Sequence, residues 1–202
     1  MKRIPLILLF SRIPAGLMVI LLTVIRSQVN YAGIAISWLM AYAVISDIFD
    51  GILARKLGVS HPKMRVWDSS VDQFFWVSTI ACSILFAKAF YENHLWAILT
   101  VVTLEVIAYI ISYIKFRKPV ATHSILAKIW TISLCVFLIV LFLNGSAGIS
   151  YWIMIVIGAI SRLEIIGILV VMKEWQSDIP NIIQALRAEK GEEIIRNKWF
   201  NG

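Results

Sequence analysis

The sequence predicts an all-α polytopic membrane protein with six transmembrane helices, and its composition and hydropathy pattern are the reasons. Of the 202 residues, 60% are hydrophobic and only 15% are charged. Soluble domains are nearer to about a quarter charged, so a chain this apolar, with a mean hydropathy of +0.84, is typical of a protein surrounded by lipid. Its apolar runs are continuous over about 20 residues, the length that a spanning helix needs.

Six such runs fill most of the chain, so residues 1–202 are expected to form a single membrane domain. The connection between the third and fourth runs is expected at Glu92–His94. A tail over residues 177–202 is expected to begin a short amphipathic helix, with Ser177 or Asp178 as its cap. The predicted spans are roughly residues 4–25, 31–54, 67–91, 95–114, 123–143 and 149–172.

The net charge of +7 is distributed as in a membrane protein rather than in a nucleic-acid-binding one. Basic residues concentrate near the termini and in the 55–66 and 115–122 loops, whereas the alternate connections hold only Arg26 and Lys88. Because cytoplasmic loops carry the excess of Lys and Arg, both termini and these two loops are expected on the cytoplasmic side of the cell membrane. Such a face meets anionic headgroups and phosphorylated substrates, and no nucleic-acid partner is expected.

Four aspartates lie inside predicted spans, where charge is costly. Asp47 and Asp50 are three residues apart and Asp68 and Asp72 are four apart, so each pair shares one helix face. A charge at bilayer depth costs roughly 2.5–3.5 kcal/mol, and four of one sign need a compensating partner. Carboxylate oxygens suit Mg²⁺ or Mn²⁺. Two such ions about 4 Å apart can bind the attacking and leaving oxygens of a phosphoryl displacement. An aspartate that is partly free of metal can then take the proton from an alcohol nucleophile.

The residues that follow the first aspartate pair indicate a ligand that carries a diphosphate. Gly51 and Ala54 lie on the same face as Asp47 and Asp50, and their small size lets a ligand approach the helix backbone. Arg55 comes next, and its planar guanidinium matches a diphosphate.

Four further ionisable residues are expected near the depth of the aspartates, counting 1.5 Å per residue. They are Arg12, Glu105, Arg162 and Glu164. This common level predicts a polar cavity open to the cytoplasm. Arg12 is expected either to contact phosphate or to snorkel as an interfacial anchor. Arg162 and Glu164 are expected to join an interhelical polar network in which one of them pairs with Glu105 or with an aspartate.

The aspartate pattern resembles the signature of the CDP-alcohol phosphotransferase family, D-x-x-D-G-x-x-A-R-x8-G-x3-D-x3-D. Its second Gly is Met64 here, which puts the pose of the nucleotide or the choice of donor in question. The opening segment, with Arg12 at a set distance from Pro5, and the stretch Ala127–Thr131 also resemble family sequences. All other fixed positions match with their spacing intact, namely Asp47, Asp50, Gly51, Ala54, Arg55, Asp68 and Asp72.

The resemblance implies a membrane enzyme of phospholipid biosynthesis that transfers a phosphatidyl group from a CDP-alcohol, usually CDP-diacylglycerol, to a second alcohol and releases CMP. It implies a metal centre of two Mg²⁺ or Mn²⁺ ions held by Asp47, Asp50, Asp68 and Asp72, with Asp72 as the general base. It also implies a homodimer. The positions implied to contact CDP are Asp50, Gly51, Ala54, Arg55 and Met64.

The acceptor alcohol is expected to be glycerol 3-phosphate, because basic residues follow the fourth span and the Ala127–Thr131 stretch resembles the phosphatidylglycerophosphate-synthase subgroup. Inositol phosphate and serine stay open as alternatives. The residues expected to bind the acceptor or its phosphate are Arg117, Lys118, Lys128 and Arg12.

A different class of function, a divalent-cation transporter, uses the same carboxylates as a transport site. A transport path predicts polar groups that continue toward the outer face, yet the outer halves of the predicted spans are almost wholly apolar. A catalytically inactive relative is a third interpretation, which only Met64 suggests and which the four retained aspartates oppose.

Overall fold

The computed structural model describes residues 4–58, 62–120, 122, 124–176 and 179–193, with backbone only at 55, 62–66 and 69. Every regular element in these residues is a helix, which confirms the all-α prediction. The helices are α1 (Ile4–Val24), α2 (Ala32–Lys56), α3 (Pro62–Phe86), α4 (Lys88–Phe116), α5 (Ile125–Asn144), α6 (Gly148–Val171) and α7 (Ile182–Glu189).

The chain is a multi-pass membrane protein. Five of the described helices (α1, α2, α4, α5 and α6) are long and apolar enough to cross a bilayer, and the apolar part of α3, Ser70–Phe86, is shorter. Large apolar side chains lie on the outside, with Trp96 82% and Ile149 79% exposed. An exposed apolar surface of this extent is unfavourable in water and matches the acyl chains of lipid.

The predicted loop at Glu92–His94 is wrong, because these residues lie inside α4. The break between α3 and α4 is a turn at Ala87. Residues 92–94 include neither Gly nor Pro, so nothing there interrupts a helix. Lys88 and Glu92 form an ion pair at 3.6 Å across one helical turn, which supports the earlier helix start.

The tail contains the predicted short helix, but it begins later than expected. Its cap is Asn181, whose side chain accepts a hydrogen bond from the Gln184 backbone N–H at 3.0 Å. The predicted caps, Ser177 and Asp178, lie outside the described residues. Helix α7 packs Ala185 against the end of α6 and leaves Ile183 exposed, so it is amphipathic as expected.

The chain divides into two compact units, of which the first comprises Met1–Glu92 and Leu138–Ala147. In this unit α1 packs against α2 and α3. The buried residues of α1 repeat at intervals of three and four, which is the spacing of one helix face. That buried stripe includes Pro5, Leu9, Arg12, Gly16, Val19 and Thr23.

The first unit is also held by a close approach of α2 to the end of α5. A Cβ atom built on Gly33 would overlap the backbone carbonyl of Phe142, so only Gly permits this approach. The Ser37 hydroxyl donates to the Gly33 carbonyl at 2.9 Å, and the Phe86 and Phe142 rings meet edge to face at 5.1 Å. Such contacts of small residues are typical of helix packing in membranes.

The second unit comprises Asn93–Phe137 and Gly148–Gly202. Ala108, Ile165 and Leu169 pack together between α4 and α6. Tyr151 is fully buried, and its hydroxyl donates to the His94 carbonyl at 2.7 Å. The polar end of this ring is therefore satisfied inside an otherwise apolar contact.

Candidate metal centre

Helices α2 and α3 bring the four aspartates into one cluster in the first unit, as their spacing predicts. Asp50 is the deepest, with a side chain only 3% exposed, whereas those of Asp47, Asp68 and Asp72 are 45%, 39% and 32% exposed. Asp47, Asp50 and Asp68 each offer one carboxylate oxygen, and these three oxygens lie within 4.8 Å of one another. The cluster is thus buried on one side and accessible on the other.

Arg12 of α1 lies at the centre of the cluster. Its Nη1 donates to Asp47 Oδ1 at 2.7 Å and to Asp72 Oδ1. Its Nη2 donates to Asp50 Oδ2 and to Asp68 Oδ1, both at 2.6 Å. Each terminal nitrogen therefore bridges one aspartate of α2 and one of α3.

This position corrects the sequence analysis of Arg12. A snorkelling side chain keeps its charged head in water, but Arg12 is only 1% exposed, so that interpretation is wrong. The sequence contained a signal for burial, because Arg12 lies on the same three-and-four spaced face as Leu9, Gly16 and Val19. An arginine in such a stripe faces the protein interior and needs carboxylate partners.

The residues present fit a divalent-metal centre. Four carboxylates meet one guanidinium, which leaves three negative charges uncompensated among these five side chains. Uncompensated charge of this size is unfavourable away from bulk water. Oxygen ligands in this number suit Mg²⁺ or Mn²⁺, and the side chains that would hold the ions are those of Asp47, Asp50, Asp68 and Asp72.

The positions predicted to contact CDP are partly described. Ala54 follows Asp50 by one turn on the buried side of α2 and is 5% exposed, and Gly51 is partly exposed. The absence of a side chain at Gly51 leaves the α2 backbone approachable beside the aspartates, whereas Ala54 is covered by protein. The side chains of Arg55 and Met64 lie outside the described residues.

The predicted acceptor-binding residues, apart from Arg12, belong to the second unit. Arg117 is exposed and adopts a left-handed conformation (φ 56°) just after the last residue of α4. The Lys118 ammonium lies 4.6 Å from the centre of the Trp175 ring, and the Trp175 indole N–H donates to the Pro119 carbonyl at 2.9 Å. Lys128 is partly exposed in the first turn of α5.

The second unit also contains a network of charged and aromatic side chains around the buried Arg162. Arg162 forms an ion pair with Glu105, which is one of the partners expected for it. Its guanidinium also lies 4.1 Å from the centre of the Trp130 ring, a contact that sequence analysis missed. Gly158 makes room for this ring, since a Cβ at that position would lie 2.6 Å from Trp130 Nε1. Arg162 and Trp130 lie on different helices, so the spacing of residues along either helix does not predict that they meet.

A helical membrane protein with a carboxylate cluster shared by two helices is the class that the fold and site define. The sequence model of the CDP-alcohol phosphatidyltransferase family matches residues 2–162, which include every residue of the cluster. The chain belongs to this family, whose members transfer a phosphatidyl group from a CDP-alcohol to an acceptor alcohol. Comparisons with curated proteins and with solved structures give no match.

Proposed function

We propose that this chain transfers the phosphatidyl group of CDP-diacylglycerol to a small alcohol and releases CMP, in a reaction that depends on Mg²⁺ or Mn²⁺. The observation that carries the proposal is the cluster of Asp47, Asp50, Asp68 and Asp72 within the region that matches the family. When bound, a pair of divalent ions offsets the negative charge of the phosphates and of the reacting oxygens.

The reaction forms one phosphorus–oxygen bond and breaks another. The acceptor hydroxyl oxygen attacks the phosphorus that carries diacylglycerol, and the bond from that phosphorus to the CMP oxygen breaks, so CMP leaves with the bonding electrons. The hydroxyl proton passes to Asp72, in the role of general base. Asp72 suits this role better than the almost fully buried Asp50, because its side chain is 32% exposed and can pass the proton on to water.

The CDP moiety lies along α2 in this proposal. Gly51 admits it close to the helix, and Arg55 pairs with its diphosphate through two parallel hydrogen bonds. Support comes from Gly51, which is partly exposed beside the cluster and has no side chain to keep a ligand away from the helix. Met64 stands where the family signature has Gly, and its flexible thioether can adapt to the nucleotide.

Glycerol 3-phosphate is the acceptor that we propose. Arg117, Lys118 and Lys128 supply positive charge near the end of α4 and the start of α5, which suits a phosphorylated alcohol better than serine. The proposal places these residues and both termini on the cytoplasmic side of the cell membrane, in accordance with the positive-inside rule. It also includes a homodimer, as the sequence resemblance implies.

The test of this proposal is a panel of acceptors. Purified protein in mixed micelles with CDP-diacylglycerol and Mn²⁺ is given glycerol 3-phosphate, inositol phosphate or serine, and CMP and the new lipid are measured. We expect CMP release with glycerol 3-phosphate to exceed that with serine by at least about 100-fold, since a site built for a charged group rejects an acceptor lacking it. Product with serine alone would contradict the proposed acceptor, and no CMP with any acceptor would contradict the enzyme.

A further inference from the structure

Arg12 raises a question that the proposed metal centre does not answer. Its guanidinium contacts all four aspartates, and it is almost completely removed from solvent. Each of its terminal nitrogens lies between an α2 carboxylate and an α3 carboxylate. A metal ion shared by these two helices needs the same space.

The guanidinium and the metal compete for reasons of geometry and of charge. Mg²⁺ holds oxygen ligands at about 2.0–2.1 Å, so an ion that joins α2 to α3 must draw their carboxylates around itself. In the structure, Nη2 of Arg12 lies between Asp50 and Asp68, 2.6 Å from a carboxylate oxygen of each. A divalent cation at that place would also repel the guanidinium at short range.

We propose that Arg12 is a built-in counter-ion that holds the four aspartates together until metal arrives, and that divalent metal displaces it from the cluster. This inference rests on the proposed function, since it assumes that the cluster binds metal. Without a cation, four carboxylates drawn from two helices would repel one another and separate α2 from α3. Arg12 thus preserves the arrangement of the metal-free centre, and it is a positioning residue in this state.

Thermal unfolding of the full chain in detergent, with chelator or with Mn²⁺, tests the proposal. The variant is Arg12→Gln and the matched control is Arg26→Gln, an arginine of the same unit that contacts the Leu85 carbonyl and the Phe86 ring away from the cluster. In chelator, Arg12→Gln should unfold roughly 10 °C below the wild type, because four clustered carboxylates, one of them almost fully buried, lose their counter-ion.

Mn²⁺ should return Arg12→Gln to within about 2 °C of metal-loaded wild type, because the ion then supplies the missing charge. Arg26→Gln should show the same small loss with and without metal. An Arg12→Gln loss that Mn²⁺ does not repair would overturn the proposal, since it would mean that Arg12 stays in the cluster after metal binds. So would an Arg12→Gln variant as stable as the wild type in chelator.

Chemical modification gives an independent measurement on the wild type. Phenylglyoxal reacts with accessible guanidinium groups, and modification of Arg12 is followed by peptide mass spectrometry with Mn²⁺ binding measured in parallel by electron paramagnetic resonance. We expect Arg12 to react at least about 10-fold faster in Mn²⁺ than in chelator. Mn²⁺ binding with unchanged Arg12 reactivity would contradict this inference alone, whereas no Mn²⁺ binding would contradict the metal centre of the proposed function as well.

Discussion

Asp72→Asn is expected to lower CMP release by roughly 10³-fold, the loss typical of removing a general base. Asn has nearly the same shape as Asp and retains one oxygen that can ligate a metal, but it has no carboxylate to accept the acceptor proton. The loss should therefore persist at saturating Mn²⁺ and appear in kcat rather than in KM for CDP-diacylglycerol. Initial rates over a range of Mn²⁺ and donor concentrations measure both effects.

The matched control for this variant is Glu92→Gln. Glu92 is an acidic residue of the same unit whose side chain is 63% exposed and forms the surface ion pair with Lys88 described above, so its removal should leave CMP release unchanged. If raising Mn²⁺ restored activity to Asp72→Asn, Asp72 would act as a metal ligand and not as the base. If the variant were fully active without any added metal, both roles would be wrong.

Gly33→Ala is expected to destabilise the protein strongly. The added Cβ would meet the backbone carbonyl oxygen of Phe142, and neither helix backbone can move aside without separating α2 from α5. Overpacking in a tight interior costs about 1–3 kcal/mol, and a clash with backbone belongs at the upper end of that range. We expect the unfolding temperature in detergent to fall by roughly 6–12 °C.

Gly16→Ala is the control for this substitution. Its Cβ would lie 2.9 Å from Cε1 of Phe74, the edge of a ring that can turn, rather than from a carbonyl. Ala also favours a helix interior over Gly by about 1 kcal/mol, so the net change in unfolding temperature should be small. An equal loss in both variants would mean that the Phe142 carbonyl is not what limits the approach of α2 to α5.

The all-α membrane fold could be predicted from the sequence because a spanning helix is defined by composition and length alone. The positions of the helix ends were predicted less accurately than the fold class. The residues around the turn, Leu85, Phe86, Ala89 and Phe90, are apolar apart from the single Lys88, so hydropathy did not show the turn at Ala87, and the polar residues Glu92–His94 were misread as a loop. The cap of α7 was also missed. Ser177, Asp178 and Asn181 are all residue types that favour an N-cap, so the sequence does not show which of them begins the helix.

Some contacts of the candidate site could be predicted from the sequence and others could not. Contacts that follow from spacing within one helix were predicted, such as the shared faces of Asp47 with Asp50 and of Asp68 with Asp72. Contacts between helices were predicted only where charge required a partner, as for Arg162 with Glu105. The position of Arg12 amid four carboxylates depends on how α1 packs against α2 and α3, and neither its charge nor its depth specifies that packing.

We propose above all that the aspartate cluster directs the oxygen of an acceptor alcohol onto the phosphatidyl phosphorus of a CDP-alcohol. The most direct measurement uses glycerol 3-phosphate labelled with ¹⁸O at the reacting hydroxyl, together with CDP-diacylglycerol and Mn²⁺. We predict one CMP for each new lipid, all of the label in the lipid and none in CMP, and neither product in chelator or with Asp72→Asn. CMP that forms equally well without an acceptor, or a lipid product that lacks the label, would contradict the account.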